Sequence, residues 1–259
     1  MEELKQIGLF ALMVATIAIS LGNVLKQLAD KKQQKQMLKQ NSGEEYRHRV
    51  WVQSVLKKLK IFYNPTLPLF IGEEEVKLKS KRQVLERAVI LSKLCELALK
   101  FDGSFSAEEL SKAKKTTTNF LIQHNLFHSL SPLEKEFLKA PTKQMAMDIS
   151  WQIECVLYFA FTLKELDVPP LPVEQVGAQE VIEHFTEKPI DELEKEFGFQ
   201  DLDNLLKWND MYFNMQWACL EAQLKNKKIK LNPEITRELF KASIWVISDE
   251  EWDDIDTSA

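Results

Sequence analysis

The sequence predicts an all-α fold: a compact multi-helix globular domain preceded by an N-terminal transmembrane helix. Three observations carry this prediction. The 259 residues include only seven Gly, and scarce turn residues favour long helices over many short strands. Three Ser-based capping boxes, which mark helix starts, occur between residues 80 and 134. Nineteen consecutive uncharged residues stand near the start of the chain, and a helix of that length spans a bilayer core of about 30 Å.

The uncharged run covers residues 7–25 and follows a short flank, residues 1–6. We interpret it as a single transmembrane helix. A cleaved signal peptide and a buried or interfacial helix are the alternatives, but a signal peptide needs a basic start and a small-residue exit site, and neither is present. Lys and Arg stay on the cytoplasmic side of a membrane, so we expect a cytoplasmic C-terminal domain. Five lysines follow the run: Lys26, Lys31, Lys32, Lys35 and Lys39.

A basic juxtamembrane stalk is predicted at residues 26–43. From residue 26 to 60 the chain has ten Lys or Arg and three acids, a balance that favours anionic lipid heads or simply enforces topology. We therefore expect membrane lipid as a partner, through residues 7–25 and the stalk. Residues 1–40 carry a net charge of +3 and the remainder −8. An acidic body argues against nucleic acid as the main partner, because phosphate binding needs a basic face.

The helical domain is predicted at residues 44–259, and its helix starts can be read from their caps. After a helix near residues 44–62 and a loop with two prolines, Ser80 with Gln83 predicts a helix to about residue 100. Ser106 with Glu109 predicts a second helix to about residue 125. Ser131, Pro132 and Glu134 combine a cap, a first-turn proline and a reciprocal acid, and predict a third.

The second half of the domain is built around an apolar segment, residues 151–163, in which ten of thirteen positions are apolar. Such a segment belongs in the middle of the fold as a helix, although a buried strand is possible. A VPPLP break follows. Two short helices are then predicted at 177–186 and 189–197, a long amphipathic helix at 201–225, and a last helix that starts at Asn232–Pro233.

Few residues point to chemistry. There is no P-loop and no other cofactor motif, so no cofactor is expected. Glu154 interrupts the apolar segment and Asp210 stands in a row of aromatics. Such carboxylates could have a raised pKa and act as acid or base, or they could be structural, with Glu154 beside an Arg, a Lys or a hydrogen-bond donor. His124 and His128 have a metal-compatible spacing on one predicted helix face, but they lack the acid of a zinc motif.

The C-terminal tail places six acids in residues 249–256 around Trp252. Asp253, Asp254 and Asp256 could hold Mg²⁺ or Ca²⁺, or the tail could be a solvated acidic run. A third interpretation is that Trp252 and Ile255 pack on the domain and close it. Four tryptophans are expected to be structural anchors: Trp151, Trp217, Trp245 and Trp252. Three widely spaced cysteines are expected to be buried free thiols: Cys95, Cys155 and Cys219.

Six segments of residues 80–257 resemble a known family. They read RQVLERAVIL, LSPLEKEFL, SWQIECVLYFAFTL, NDMYFNMQWACLEA, KASIWVI and WDDIDT, in this order. Together they resemble the bacterial family called domain of unknown function 4272, which implies a mostly helical domain without an assigned activity or catalytic residues. The family pattern has an Arg and a His before the tryptophan–alanine pair, where this chain has Asn214 and Gln216.

Two functions of different classes remain. The first is an interaction or scaffolding module at the cytoplasmic face of a membrane, favoured by the predicted anchor and the lack of a catalytic motif. The second is a hydrolase-like enzyme with a carboxylate-lined pocket around Glu154 and Asp210. A concave pocket with convergent polar groups would favour the enzyme, and an apolar surface patch would favour the module.

Overall fold

The structure, a computed structural model, describes residues 43–258. This part of the chain is helical and contains no β-strand. The predicted transmembrane helix, residues 7–25, and residues 26–42 of the predicted stalk lie outside the described residues. Between residues 43 and 258 no helix is both long enough and apolar enough to span a bilayer.

Ten α-helices follow one another along the described chain. They are α1 (Gly43–Leu59), α2 (Lys81–Ala98), α3 (Ala107–Gln123), α4 (Pro132–Lys139), α5 (Lys143–Trp151), α6 (Ile153–Thr162), α7 (Ala178–Thr186), α8 (Ile190–Glu196), α9 (Leu202–Leu224) and α10 (Pro233–Ile247). Short 3-10 helices occupy Glu73–Glu75, Leu99–Asp102 and Phe127–Ser129.

The three capping boxes are confirmed. Ser80, Ser106 and Ser131 each accept a hydrogen bond from the backbone N–H three residues later in the chain. The side-chain oxygen of that later residue accepts a hydrogen bond from the serine N–H. Each box therefore satisfies backbone donors that a helix start otherwise leaves open. Asp201 and Asn232 cap α9 and α10 through their side-chain oxygens, without a reciprocal bond; of these two caps the sequence predicts the one at Asn232.

Helix α6 forms the centre of the core. All ten of its residues are buried, because α2, α5, α7 and α10 pack around it. The predicted helix over residues 151–163 is wrong at its start, since Trp151 ends α5 and α6 begins only at Ile153. At Gln152 the backbone has φ −68° and ψ −4°, which turns the chain between the two helices.

Helices α9 and α10 form the most extensive pair of the domain, and α1 packs against α9. Helix α2 packs extensively against α3, α5, α6, α7 and α8. The segment that joins α1 to α2 is tied to the end of α10, since the N–H groups of Lys77 and Lys79 donate to the carbonyls of Ile247 and Val246 at 2.9 Å each. These bonds satisfy two of the carbonyls that the C-terminus of α10 leaves open.

Candidate functional site

Residues from remote segments meet in a buried cluster at the C-terminal tail, which we call the tail cluster: Arg87, Glu134, Trp245 and Trp252. Arg87 in α2 donates from Nη1 to both carboxylate oxygens of Glu134, at 2.8 and 2.9 Å, and from Nη2 to the Ser129 carbonyl at 2.9 Å. Both side chains of the pair are buried. Glu134 is also the reciprocal acid of the α4 capping box, so one carboxylate caps a helix and neutralises a buried guanidinium.

Trp252 closes this cluster. Its side chain is 1% exposed, and its ring centroid lies 5.2 Å from the Arg87 guanidinium carbon and 4.4 Å from Lys241 Nζ. Trp245 meets it edge to face at 5.8 Å and lies 5.7 Å from the same guanidinium. The rings and the cation thus combine apolar burial with cation–π attraction, which explains why an acidic tail contains a large aromatic residue.

The acids of the tail do not converge. Asp253 accepts a hydrogen bond from the Leu133 N–H at 2.9 Å, at the start of α4, where a helix dipole favours negative charge. Asp256 instead accepts from the N–H and hydroxyl of Ser258, and Asp254 is exposed. Among the residues that the structure describes, no group of three His, Cys, Asp or Glu is placed to hold a metal ion.

Glu154 lies in the core and is 1% exposed. Its Oε1 accepts a hydrogen bond from the Val176 N–H at 3.2 Å. A hydrogen-bond donor was one of the three kinds of partner expected from the sequence. No ion pair of Glu154 is found within residues 43–258. Burial raises the pKa of Glu154 to about 7, and the negative charge of Glu238 adds to the rise.

Glu238 is the second buried acid near α6. Arg237 donates to its Oε1 from Nε at 3.2 Å and from Nη2 at 3.1 Å. The Cys155 thiol donates to the Glu238 carbonyl and Oε2 at 3.2 and 3.4 Å.

Burial raises the pKa of the three cysteine thiols, Cys95, Cys155 and Cys219. They are free and buried, as the sequence predicts, and a thiol held protonated in an apolar interior is a poor nucleophile.

The Asp210 carboxylate forms an ion pair with Arg49, a partner that the sequence did not predict. Arg49 of α1 donates to both carboxylate oxygens, at 3.0 Å from Nε and 2.7 Å from Nη2. Asn214 donates to the same residue from within α9. Burial raises the pKa of Asp210, and the Arg49 guanidinium opposes that rise. Arg49 also bonds the Leu67 and Pro68 carbonyls, so the pair fastens α1 and the following loop to α9.

Glu154 and Asp210 line no common pocket among those found in the described chain. The cleft beside Asp210 has a volume of about 20 Å³ and is lined from α1, α9 and residues 69–73. That volume is close to the space one water molecule needs. A substrate would require several hundred cubic ångströms. The cleft therefore does not provide the carboxylate-lined pocket that the hypothesis of a hydrolase-like enzyme requires.

The expectation that His124 and His128 share a helix face is wrong. Helix α3 ends at Gln123, and Asn125 adopts a left-handed conformation with φ 56°, which turns the chain before the 3-10 helix that contains His128. His124 instead stacks on Phe120 at 4.1 Å, and His128 contacts the Ser129 hydroxyl. Neither imidazole belongs to a group of three potential metal ligands among the described residues.

The tryptophans differ in burial. Trp245 and Trp252 are buried, whereas Trp151 and Trp217 are only half-buried. Sequence reasoning did not single out Trp208, which is 7% exposed and meets Trp51 of α1 edge to face at 5.3 Å. Its position on the apolar face of the predicted long helix was the available signal.

An open apolar groove lies where α2 gives way to the 3-10 helix at Leu99, beside α5. Its volume is about 440 Å³. The lining residues are mostly apolar, and Lys143 is the one charged side chain among them: Ala98, Leu99, Phe101, Lys143, Gln144, Ala146, Met147 and Ser150. Leu99 and Met147 are 45% and 52% exposed. No pattern in the sequence marks this groove, because a lone exposed Leu or Met carries no signal of its own.

Comparison with known proteins settles the family. The model of the family described as Domain of unknown function (DUF4272) matches residues 49–255. This chain belongs to that family. The DUF4272 match begins at residue 49 and therefore includes most of α1, whereas the resemblance in the sequence began only at about residue 80. Searches of curated proteins and of solved structures found no match.

The chain's departure from the expected DUF4272 pattern concerns its interior. Asn214 is fully buried and donates to the Asp210 carbonyl at 2.8 Å. Gln216 is 6% exposed and donates to the Thr257 carbonyl of the tail at 3.2 Å. Both amides hold neighbouring segments together, and neither lines one of the described pockets.

Proposed function

We propose that this protein is a membrane-tethered interaction module, whose helical domain lies at the cytoplasmic face and receives an apolar segment of a partner protein. The observation that carries the proposal is the groove beside Leu99 and Met147. It is open and apolar, whereas both candidate catalytic carboxylates are enclosed. Large apolar side chains exposed together around a concavity are typical of protein-binding surfaces.

The chemistry of the groove limits its occupant. The apolar floor suits a helix or extended segment with large aliphatic or aromatic residues. Lys143 on the rim has no acidic residue beside it among the lining residues, so a carboxylate next to the apolar residues of the partner would complement it. We therefore commit to an apolar segment with a neighbouring acid.

Site-specific crosslinking in the full chain tests the groove. A photoreactive amino acid replaces Met147, with Val168, which is 61% exposed, as the control position. We expect one discrete adduct from position 147 only, lost when Leu99→Glu places a charge in the groove. Mass spectrometry should locate the adduct in an apolar segment with an adjacent acid. Equal adducts from both positions, or an adduct with a second copy of this chain, would contradict the proposal.

The tether rests on the uncharged run at residues 7–25 and the lysines that follow it. We expect the chain to stay in the membrane pellet after an alkaline carbonate wash. A protease added to inverted vesicles should degrade the helical domain, and one added to right-side-out vesicles should spare it. Recovery in the carbonate supernatant would refute the tether.

One observation favours an enzyme as a second candidate function. The pKa of Glu154 at about 7 is suited to general acid–base catalysis at neutral pH. Such an enzyme would need an opening of the segment around Val176 to reach this carboxylate. Loss of a measurable hydrolytic activity in a folded Glu154→Gln variant would support the enzyme, and unchanged activity would exclude Glu154 as its acid or base.

A further inference from the structure

Two basic segments that are remote in sequence lie at one end of the molecule. Helices α1 and α9 run side by side in the same direction, since His48 contacts Asp203, Trp51 contacts Trp208 and Phe62 contacts Trp217. Their C-termini therefore point toward the same end of the domain, and α9 continues to Leu224, about two turns beyond the Phe62–Trp217 contact. A residue in the left-handed conformation follows each helix, Lys60 with φ 59° and Asn226 with φ 48°. The backbone therefore turns after both helices.

Seven lysines cluster around these helix ends, and we call this surface the lysine end. All seven are exposed: Lys57, Lys58, Lys60, Lys225, Lys227, Lys228 and Lys230. Residues 46–72 and 222–233 contain no Asp or Glu. In the described part of the chain only Lys225 among them has an ion-pair partner, Glu221. The lysine end is thus strongly positive in a chain whose net charge is −5.

Exposed apolar side chains stand among these lysines. Phe62 is 36% exposed and packs on Trp217 with ring centroids 6.0 Å apart. Leu224 is 82% exposed, and it follows Trp217 by seven residues, close to two helical turns, which places both on one face of α9. An aromatic and an aliphatic side chain ringed by lysines is the composition of an interfacial membrane contact.

We propose that the lysine end docks on an anionic lipid surface. The lysines then contact the lipid headgroups, and Leu224 and Phe62 lie at the depth of the headgroups. The inference rests on the proposed function in one respect, that the chain works at a membrane, and it names the lipid class and the face of the domain. Charge complementarity selects an anionic bilayer, because each Lys near such a surface strengthens binding about fivefold.

The predicted tether allows this orientation. Helix α1 has 17 residues and is about 25 Å long. The seventeen residues between the predicted span and α1, residues 26–42, can reach up to about 56 Å when extended. That reach exceeds the length of α1, so the C-terminal end of α1 can face the same bilayer that holds residues 7–25.

A single fluorescent label tests the docking. The native cysteines are all buried, so Leu224→Cys in the full chain provides one accessible thiol for a polarity-sensitive dye. Ile122→Cys on α3, where Ile122 is 56% exposed, is the matched control. The chain is placed in nanodiscs of phosphatidylcholine alone or with phosphatidylserine. We expect a blue shift at position 224 only with phosphatidylserine, and none at position 122.

Charge variants complete the experiment. Lys227→Gln, Lys228→Gln and Lys230→Gln together should abolish the blue shift, because losing about fivefold per lysine weakens lipid binding about a hundredfold. The matched triple Lys112→Gln, Lys115→Gln and Lys135→Gln removes three exposed lysines elsewhere and should leave the shift unchanged. An equal shift in both lipids, no shift in either, or a shift caused by added RNA in neutral nanodiscs would overturn the proposal.

The carbonate wash separates this failure from a failure of the tether. A chain that resists carbonate but shows no blue shift is tethered without docking. A chain released by carbonate is mixed with vesicles of the same two compositions, and the label then reports docking without the tether.

Discussion

At the scale of single residues, each buried carboxylate depends on what surrounds it. Glu134 and Asp210 each receive two hydrogen bonds from a guanidinium, whereas Glu154 receives one from a backbone N–H. A carboxylate without a cation in the interior is more stable when protonated. Glu154, with a pKa of about 7, therefore changes its charge around neutral pH, and its contribution to stability changes with it.

Glu154→Gln should stabilise the protein above pH 7. The folded pKa of about 7 lies above the ordinary value of 4.5, so the folded state binds the proton more tightly, and its stability falls as pH rises through that window. The loss amounts to about 3 kcal/mol. Gln stays neutral and can still accept from Val176. Thermal unfolding at pH 5 and pH 8.5 should show similar stabilities at pH 5 and a more stable variant at pH 8.5.

The contrary outcome is a variant less stable than the wild type at pH 8.5. That result would mean that ionised Glu154 has a stabilising partner.

Trp252→Ala should lower the melting temperature strongly. Removing a fully buried large aromatic costs about 3–5 kcal/mol, or about 6–20 °C in melting temperature for a domain of this size.

The double variant Asp253→Asn with Asp254→Asn should change the melting temperature by about 2 °C or less, because an Asn oxygen at 253 can still accept from the Leu133 N–H. Calorimetry with and without Mg²⁺ or Ca²⁺ checks both. A larger effect of the double Asn variant, with metal stabilisation of the wild type only, would indicate a metal site instead.

At the scale of elements, the contacts that join α1 to the domain include a buried ion pair and an aromatic contact. Arg49 and Asp210 are 161 positions apart in sequence, and their side chains are 11% and 5% exposed. The Trp51–Trp208 contact lies beside them. Breaking a buried pair on one side leaves an uncompensated charge, which costs more than removing both partners.

Arg49→Met should therefore destabilise by about 3–5 kcal/mol, and adding Asp210→Asn should recover part of that loss. Chemical denaturation of both single variants and the double variant gives the coupling. Limited proteolysis should cut before residue 60 faster in Arg49→Met than in the wild type. Strictly additive effects would show that α1 is held by apolar packing alone.

At the scale of the whole molecule, the DUF4272 domain includes α1 and the following loop. Val52 and Leu56 are fully buried, and Phe70 packs on Phe213 and Phe240 at 5.4 and 5.1 Å. The segment before residue 80 thus covers apolar surface of α9 and α10 that would otherwise face water.

A chain of residues 80–259 should fail to fold cooperatively, whereas one of residues 43–259 should unfold in a single transition. Circular dichroism during heating, together with binding of a hydrophobic dye, distinguishes them. A cooperative transition in the shorter chain would show that α1 is an appendage and not part of the core.

What the sequence determined by itself is the family and most of the helices after residue 80, although α5 (Lys143–Trp151) was not predicted. Capping boxes and apolar periodicity act between residues three or four positions apart, so the helix starts at Ser80, Ser106, Ser131 and Asn232 were predicted directly. Glu154 was recognisable for the same reason, because its apolar neighbours are adjacent in sequence.

Only the tertiary structure decided which remote groups meet. A charge carries no local signal of its partner, so the pairing of Arg49 with Asp210 and of Arg87 with Glu134 could not be read from the chain. The same holds for the lysine end, where the C-terminal ends of α1 and α9 point in one direction because the two helices run in parallel. The break at Gln152 also escaped the sequence, since long-range packing of α5 and α6, not local propensity, selects such a turn.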